Sequence, residues 1–348
     1  MDNTVVAELK KEFYAFQEME VPDGMDKQTQ LDMYAKMSLI REFDSQIKPL
    51  WMMNKIRGYA HPYITAEAIA VGVCQNLNKE DYIGSTHRGH GHVIAKGGDI
   101  NSMMAELFGK YEGYNKGKGG SMHICDMSIG MLGATGIVGT GIPGAVGSAL
   151  ASRNKGNGRV TIVFFGDGAA NCGQLAESMN MAAAWNLPVV FVCENNQWAI
   201  ATEFSRVVKE QDMYKRASGY GIPGKLVDGF NVYDVYKHAK EAIELARRGG
   251  GPTLLECKFM RIIGHHSLDD NKYRDMDHTN KYWEIEPLKR MREFMIENRI
   301  ATQEEIDAID EDSRVKVAAS IDYSDNHCTE PPLESLWDDI YANGEIIE

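Results

Sequence analysis

The sequence predicts an α/β fold, with a mainly parallel sheet flanked by helices and with helical N- and C-terminal extensions. Three observations carry that expectation. RVTIVFF (159–165) and PVVFVCEN (188–195) are continuous apolar runs rich in Val and Ile, as expected of strands covered on both faces. GQLAESMNMAAAWN (173–186), between them, is rich in helix formers and is followed by Pro188. Strand, helix and strand in that order imply a right-handed crossover between parallel strands.

From the amino end, Met33, Met37, Ile40, Phe43 and Ile47 in LDMYAKMSLIREFDSQI fall three or four apart and mark one face of a helix. Residues 84–141 follow as a Gly- and His-rich region with few long periodic segments. A helix is predicted at 143–152, PGAVGSALAS, with Pro143 near its first turn. Beyond the strand–helix–strand unit, VYDVYKHAKEAIELARRGGG reads as a helix stopped by its glycines, feeding the strand TLLECKF (253–259). From about 275 the chain turns polar and helical, and Thr302 with Glu305 gives a capping box. The expected organisation is a helical extension over 1–50, an α/β domain over 51–275 and a second helical extension over 276–348.

Of the 348 residues, 43% are hydrophobic and 25% charged, which is ordinary for a globular protein. The formal charge of -13 argues against a nucleic-acid partner, although it leaves room for a local basic pocket. The six cysteines form no CxxC pair and no zinc spacing, so they read as small buried hydrophobes in a reducing compartment. MDNTVVAELKKEF lacks signal-peptide organisation, and no apolar run approaches the roughly 20 residues needed to cross a bilayer. A cytoplasmic protein without a membrane partner is expected.

In parallel α/β sheets, ligands bind beyond the carboxyl ends of the strands. Asp167, in IVFFGDGAANCG (162–173), follows one such end, and Asn195 and Asn196 follow the next. Taken alone, Gly166-Asp167-Gly168 is a tight turn in which Asp caps and Gly supplies unusual dihedrals. Taken with Asn196, it is a corner for a cation. A carboxylate, an amide oxygen and a loop carbonyl make a poor zinc site but a good partial Mg²⁺ site, whose remaining positions phosphate oxygens fill. The helix that begins after Gly168 would aim its free N–H groups at that phosphate.

Other motifs carry less. HRGHGH offers His87, His90 and His92 as a zinc site, but neither cysteine nor a carboxylate cluster accompanies them, and a phosphate-facing basic loop fits better. KGKGG is not a Walker loop, because no Ser or Thr follows Lys118. GIPGAVG echoes a dinucleotide loop without a clear strand leading into it.

A GDG followed about thirty residues later by paired Asn, here GDGAANCG and CENNQWAIAT, resembles the thiamine-diphosphate signature. STHRGHGHVIAKG (85–97), NKGKGGSMHI (115–124), GMLGATGIVGTGIPGAVGSALA (130–151), YWEIEPLKRM and PPLESLWDDIY widen the resemblance to roughly residues 30–340. Together they look like the alpha subunit of thiamine-diphosphate-dependent 2-oxoacid and acetoin dehydrogenases. The resemblance implies the thiamine-diphosphate-binding fold, with Mg²⁺ held by the side chains of Asp167 and Asn196 and the carbonyl of Trp198. It implies backbone of Gly168 and Ala169 at the diphosphate and of Gly136 and Val138 near the aminopyrimidine. Arg88 matches an arginine reaching the phosphates, and His87 replaces a frequent tyrosine beside it. His266, in GHHSLDDNKYR, matches a loop histidine that closes over cofactor and intermediate, to assist proton transfer or to hold the intermediate, and His61 a histidine near the active site; these two are the catalytic candidates that the resemblance implies. Thr65-Ala66 stand where the family usually has Gly-Gln. His265 reads as a loop residue and Ser267 as an ordinary loop hydroxyl.

The resemblance further implies a beta subunit that supplies the glutamate protonating the cofactor, an α2β2 heterotetramer, and acyl transfer to a lipoyl-bearing acyltransferase. The small-molecule substrate would be acetoin or a 2-oxoacid such as pyruvate, while GHHSLDDNKYR looks more like the branched-chain enzymes. Two other classes stay open on the residues: a Mg²⁺-nucleotide enzyme without thiamine, and a non-catalytic scaffolding relative.

Overall fold

The computed structural model describes residues 3–339, so the outermost parts of both extensions lie outside the described residues. The strands are β1 (Tyr82–Gly84), β2 (Met131–Gly133), β3 (Thr161–Gly166), β4 (Val189–Asn195), β5 (Trp198–Ala199), β6 (Thr202–Glu203), β7 (Gly224–Asp228) and β8 (Thr253–Lys258). Strands β5 and β6 form a small antiparallel hairpin. The other six make one sheet in the order β2-β1-β3-β4-β8-β7, with every neighbouring pair parallel.

Helices α1 (Asn3–Glu12), α2 (Lys27–Ser45) and α3 (Ile47–Met52) precede the sheet, and α4 (Glu67–Cys74) leads into it. Next come α5 (His90–Ala95), α6 (Ile100–Leu107), α7 (Gly141–Lys155), α8 (Gly173–Ala184) and α9 (Val232–Arg247). Helices α10 (Met276–Asn280), α11 (Pro287–Glu297) and α12 (Gln303–Asn326) complete the chain. The expected strands and helices of the βαβ unit are present within a residue or two. So is the capping box, in which Thr302 and Glu305 satisfy each other's backbone N–H groups.

The continuous apolar runs are divided strictly by strand alternation. Ile162, Phe164, Val190, Val192, Leu255 and Cys257 face a core shared with α2, α4 and α9. Val163, Phe165, Val189, Phe191, Cys193 and Leu254 face a second core under α7 and α8. Both faces of the sheet are thus covered, which is why these strands show no polar alternation. Residues 84–141 hold two short helices, α5 and α6, of 6 and 8 residues.

Candidate active site

Strand order reverses between β1 and β3: the chain steps outward from β1 to β2, then returns to the other side of β1. Such a switch point opens a crevice at the carboxyl ends of the strands. A cavity of about 260 Å³ lies there. Its walls come from the residues after β1 (Ser85–Arg88), β3 (Asp167–Ala169) and β4 (Asn196), the Phe259–His265 segment after β8, and the amino end of α7.

Gly166 pairs in register with Glu194, so Asp167 leaves β3 level with Asn195, and Asn196 follows one residue beyond on the adjacent strand. Asp167 is buried, its Oδ2 has no hydrogen-bond partner, and burial pushes its pKa up to about 6. The Asn pair divides its labour. Asn195 is fully buried and donates to Glu256 at 2.7 Å, whereas Asn196 lines the cavity and its Oδ1 accepts the Trp198 N–H at 3.0 Å. The carbonyl of Trp198 takes a long 3.4 Å contact from Arg261 Nη1.

The turn does not rest on the glycine dihedrals that GDG suggests in isolation. Asp167 Oδ2 caps nothing, and neither Gly166 nor Gly168 has a positive φ. Gly168 is required by close approach, since a Cβ there would stand 2.9 Å from the Ala199 Cβ. The helix expected directly after Gly168 is also displaced. A 3-10 turn, Ala169–Asn171, intervenes and α8 starts at Gly173, so the helix end that lines the cavity is that of α7, through Gly139, Gly141 and Ile142.

Two guanidinium groups furnish the basic pocket that the acidic net charge permits. Arg88 is buried, and its Nη1 and Nη2 donate to the carbonyls of Pro62 and His265, each at 2.7 Å. Burial, together with the charge of Arg261, draws the Arg88 pKa down to about 9. Arg261 donates to the Ile200 carbonyl at 2.7 Å and the Tyr273 hydroxyl at 2.5 Å, with its Nε unpartnered. Around them stand His61, His87 and His265. Burial first, and Arg88 next, lower their pKa values to about 2, about 3 and about 2, so all three rings are neutral at physiological pH.

Behind the cavity, Glu194 accepts from the Tyr63 hydroxyl and from His92 Nε2 at 3.0 Å, while His92 Nδ1 faces Ser85 Oγ at 2.7 Å. His90 spans Asp44 at 2.7 Å and Ser121 at 3.0 Å. Both histidines have each ring nitrogen partnered inside the protein, so His87, His90 and His92 do not form a metal trio. The KGKGG loop wraps a carboxylate: buried Glu106 accepts four backbone N–H groups, from Asn115, Gly117, Gly119 and Gly120, at 2.7–3.0 Å.

The cavity therefore brings together His87, Arg88, Val138, Asp167, Gly168, Ala169, Asn196 and Trp198. His61 lies outside the lining, its ring 4.8 Å from that of His87. Gly136 lies outside the lining, within reach of Met122 and His123. His266 also lies outside the lining and packs on Tyr59, ring centroids 4.9 Å apart; its neighbour His265 faces the cavity instead. Ser267 is buried and donates to the Ala60 carbonyl at 3.0 Å. Thr65 holds a φ of 76°, a left-handed conformation that favours glycine, and its hydroxyl donates to Met260. Arg261, Tyr63 and Glu194 escape motif reading, although Arg261 follows the end of β8 by three residues, where ligand-binding groups are expected.

Residues 35–333 match the dehydrogenase E1 component family. The chain is 43% identical over 327 residues to the acetoin:2,6-dichlorophenolindophenol oxidoreductase alpha subunit of Cupriavidus necator, covering 92% of this chain and 96% of the relative. It is 42% identical over 323 residues to the subunit of the same name from Bacillus subtilis, covering 92% and 96%. It is 40% identical over 315 residues to the pyruvate dehydrogenase E1 component alpha subunit of Rhizobium meliloti, covering 90% of each chain.

Proposed function

The chain belongs to the dehydrogenase E1 component family as a thiamine-dependent oxidoreductase of the alpha-subunit type, and we propose that it acts with Mg²⁺ on acetoin or a 2-oxoacid such as pyruvate. The observation that carries the cation is Asp167 Oδ2, a buried carboxylate oxygen without a partner at the floor of the cavity. A divalent ion supplies that partner, and oxygen donors from Asp167, Asn196 and Trp198 suit magnesium rather than zinc. Arg88 and Arg261 supply the positive wall for a diphosphate, with backbone of Gly168 and Ala169 beside it. When bound, thiamine diphosphate provides the nucleophilic carbon and the electron sink for breaking a bond beside a carbonyl.

With pKa values near 2–3, His61, His87 and His265 hold and orient groups as neutral rings rather than donate protons as imidazolium. We assign to His265 the cofactor-facing place that the resemblance gives to His266. Residues 51–275 form the cofactor-binding domain in this reading. Ile137, Val138 and Ile200 line the cavity yet expose more than half of their surface, which supports cover by a second chain. That chain is the beta subunit, in an α2β2 assembly that passes its acyl group to a lipoyl-bearing acyltransferase. All six cysteines are free, in keeping with a cytoplasmic setting. Among the described residues no helix is long and apolar enough to cross a membrane.

The test is calorimetry of thiamine diphosphate on the chain purified with its partner, with and without Mg²⁺, for wild type and Asp167→Ala. Mg²⁺-dependent binding that the variant abolishes is expected. Binding indifferent to Mg²⁺ and to Asp167 would overturn the cation corner. Turnover of acetoin, pyruvate and branched 2-oxoacids on the same complex then ranks the substrates.

A further inference from the structure

Thr65 is fully buried and stands at a φ of 76°, two residues before the start of α4 at Glu67. A β-branched residue at positive φ is an outlier, and such strain persists only where the surroundings hold it. Here they do. Arg88 holds the Pro62 carbonyl at 2.7 Å, Asp44 accepts the Tyr63 N–H, and the Ala66 N–H donates to the Tyr63 carbonyl at 3.1 Å. Glycine takes this conformation without such strain, and glycine is what the family usually has at this place. Threonine therefore adds something here that glycine lacks.

The addition is a hydroxyl, which donates to the Met260 carbonyl at 3.1 Å. Among the described residues that carbonyl has no other donor. The segment after β8 is held on its other side by the paired Asn: the carbonyls of Asn195 and Asn196 accept the Phe259 and Arg261 N–H groups at 3.0 and 3.3 Å. Met260, between those two, turns its carbonyl the opposite way, toward Thr65. Tyr63 and Ala66 on one side of this bond, and Phe259 and Arg261 on the other, all line the cavity. The Thr65–Met260 bond thus ties two cavity walls together from behind.

We propose that Thr65 is a positioning residue, whose hydroxyl, through Met260, sets the place of Arg261 beside the Asp167–Asn196 corner. Arg261 is sensitive to such a tie. Its guanidinium bonds the Ile200 carbonyl at 2.7 Å and the Tyr273 hydroxyl at 2.5 Å, yet reaches the Trp198 carbonyl only at 3.4 Å. A small retreat of the backbone at 260–261 takes that last contact away. The tie stands on the observed bond, and its bearing on the cofactor rests on Arg261 serving as a wall for the diphosphate.

Three variants separate hydroxyl, branching and backbone conformation. Thr65→Val keeps the shape and the strain but loses the hydroxyl, Thr65→Gly loses both strain and hydroxyl, and Thr65→Ser keeps the hydroxyl. Each is purified with its partner, and circular dichroism and thermal melts establish that it is folded; one folded variant without the hydroxyl suffices. Amide exchange over 259–263 is followed without cofactor, and thiamine diphosphate affinity is measured with Mg²⁺ by calorimetry. Loss of one hydrogen bond corresponds to about three- to tenfold in each readout. That loss is expected in Thr65→Val and Thr65→Gly, with Thr65→Ser close to wild type. Wild-type exchange in a folded Thr65→Val or Thr65→Gly, or no rescue by Thr65→Ser, would overturn the tie. Faster exchange with unchanged affinity would overturn the positioning of Arg261. A wild-type complex that binds no thiamine diphosphate fails the cofactor reading instead, and exchange alone then decides the tie.

Discussion

Arg88 Nη2 donates to the backbone carbonyl of His265 at 2.7 Å, joining the loop after β1 to the loop after β8 across the cavity. Nη1 of the same guanidinium holds the Pro62 carbonyl at 2.7 Å. One planar side chain thus fixes two other segments that line or back the cavity, and it does so by its fork rather than by charge alone.

Arg88→Lys keeps the charge and loses the fork, because one ammonium cannot reach both carbonyls in that geometry. A charge-assisted hydrogen bond contributes about 1.5–3 kcal/mol, which corresponds to roughly ten- to hundredfold in cofactor affinity if the loop must be re-ordered on binding. Faster amide exchange over residues 262–274, together with weaker thiamine diphosphate binding, is the expected outcome. Unchanged exchange in that loop would show that the Pro62 contact and packing hold it without Arg88.

Asp167 is raised to about 6 in the folded chain against an ordinary 3.8, mainly by burial. Between those values the folded form binds a proton that the unfolded chain releases, so this residue's contribution to stability falls as pH rises from about 4 to 6 and is flat above. Asp167→Asn removes that cost. The cofactor-free variant is therefore expected to be more stable than wild type at pH 7, by an amount on the order of 2–3 kcal/mol, and no more stable near pH 4. Saturating Mg²⁺ and thiamine diphosphate reverse the order, since only wild type gains binding energy. Melting curves at the two pH values, with and without cofactor, decide it; a variant less stable at pH 7 without cofactor contradicts the burial argument.

The KGKGG loop is held by Glu106, whose two oxygens accept two backbone N–H groups each. Glu106→Gln replaces one acceptor oxygen with an NH₂ that faces two donors. A loss of about 2–4 kcal/mol follows from bonds to a charged acceptor and from buried N–H groups left unpaired. Trypsin should then cut after Lys116 or Lys118 while wild type resists. Equal cleavage rates would mean that the ion pairs to Asp339 hold the loop instead.

Much of this architecture is legible in the residue order, and the exceptions have physical causes. Strands β3, β4 and β8 are readable because burial on both faces demands long apolar runs. Strands β1 and β2 have three residues each, and β7 is half-exposed, so none displays a run or an alternation. Asp167 and Asn196 are legible because strand ends fix their positions. The choice between His265 and His266 is not. It is set by contacts from elsewhere in the fold: Asp269 accepts the His265 N–H at 2.6 Å, and Ser267 anchors on Ala60 through both its N–H and its hydroxyl. The roles of His90 and His92 in HRGHGH are hidden for a related reason. Its second and third histidines lie on α5, and their partners, Asp44, Ser121, Ser85 and Glu194, come mostly from other segments.

The three neutral histidines make a final test by acid. Folded pKa values of about 2, 3 and 2, against an ordinary 6.5, mean that below pH 6.5 the unfolded chain takes up three protons that the folded chain refuses. Their stabilising contribution is present above pH 6.5 and is lost as pH falls. Asp167 works in the opposite direction with one proton between about pH 6 and 4. Three against one leaves a net uptake of about two protons on unfolding near pH 5 from these four groups. His87→Tyr removes one of the three, because tyrosine does not titrate in this range. Urea midpoints measured from pH 4 to 8 should therefore fall less steeply below pH 6.5 in the variant, by the equivalent of one proton, while the two profiles run parallel above pH 7. Parallel profiles throughout would mean that His87 binds its proton equally well folded and unfolded, and that the two guanidiniums beside the trio do not exclude it.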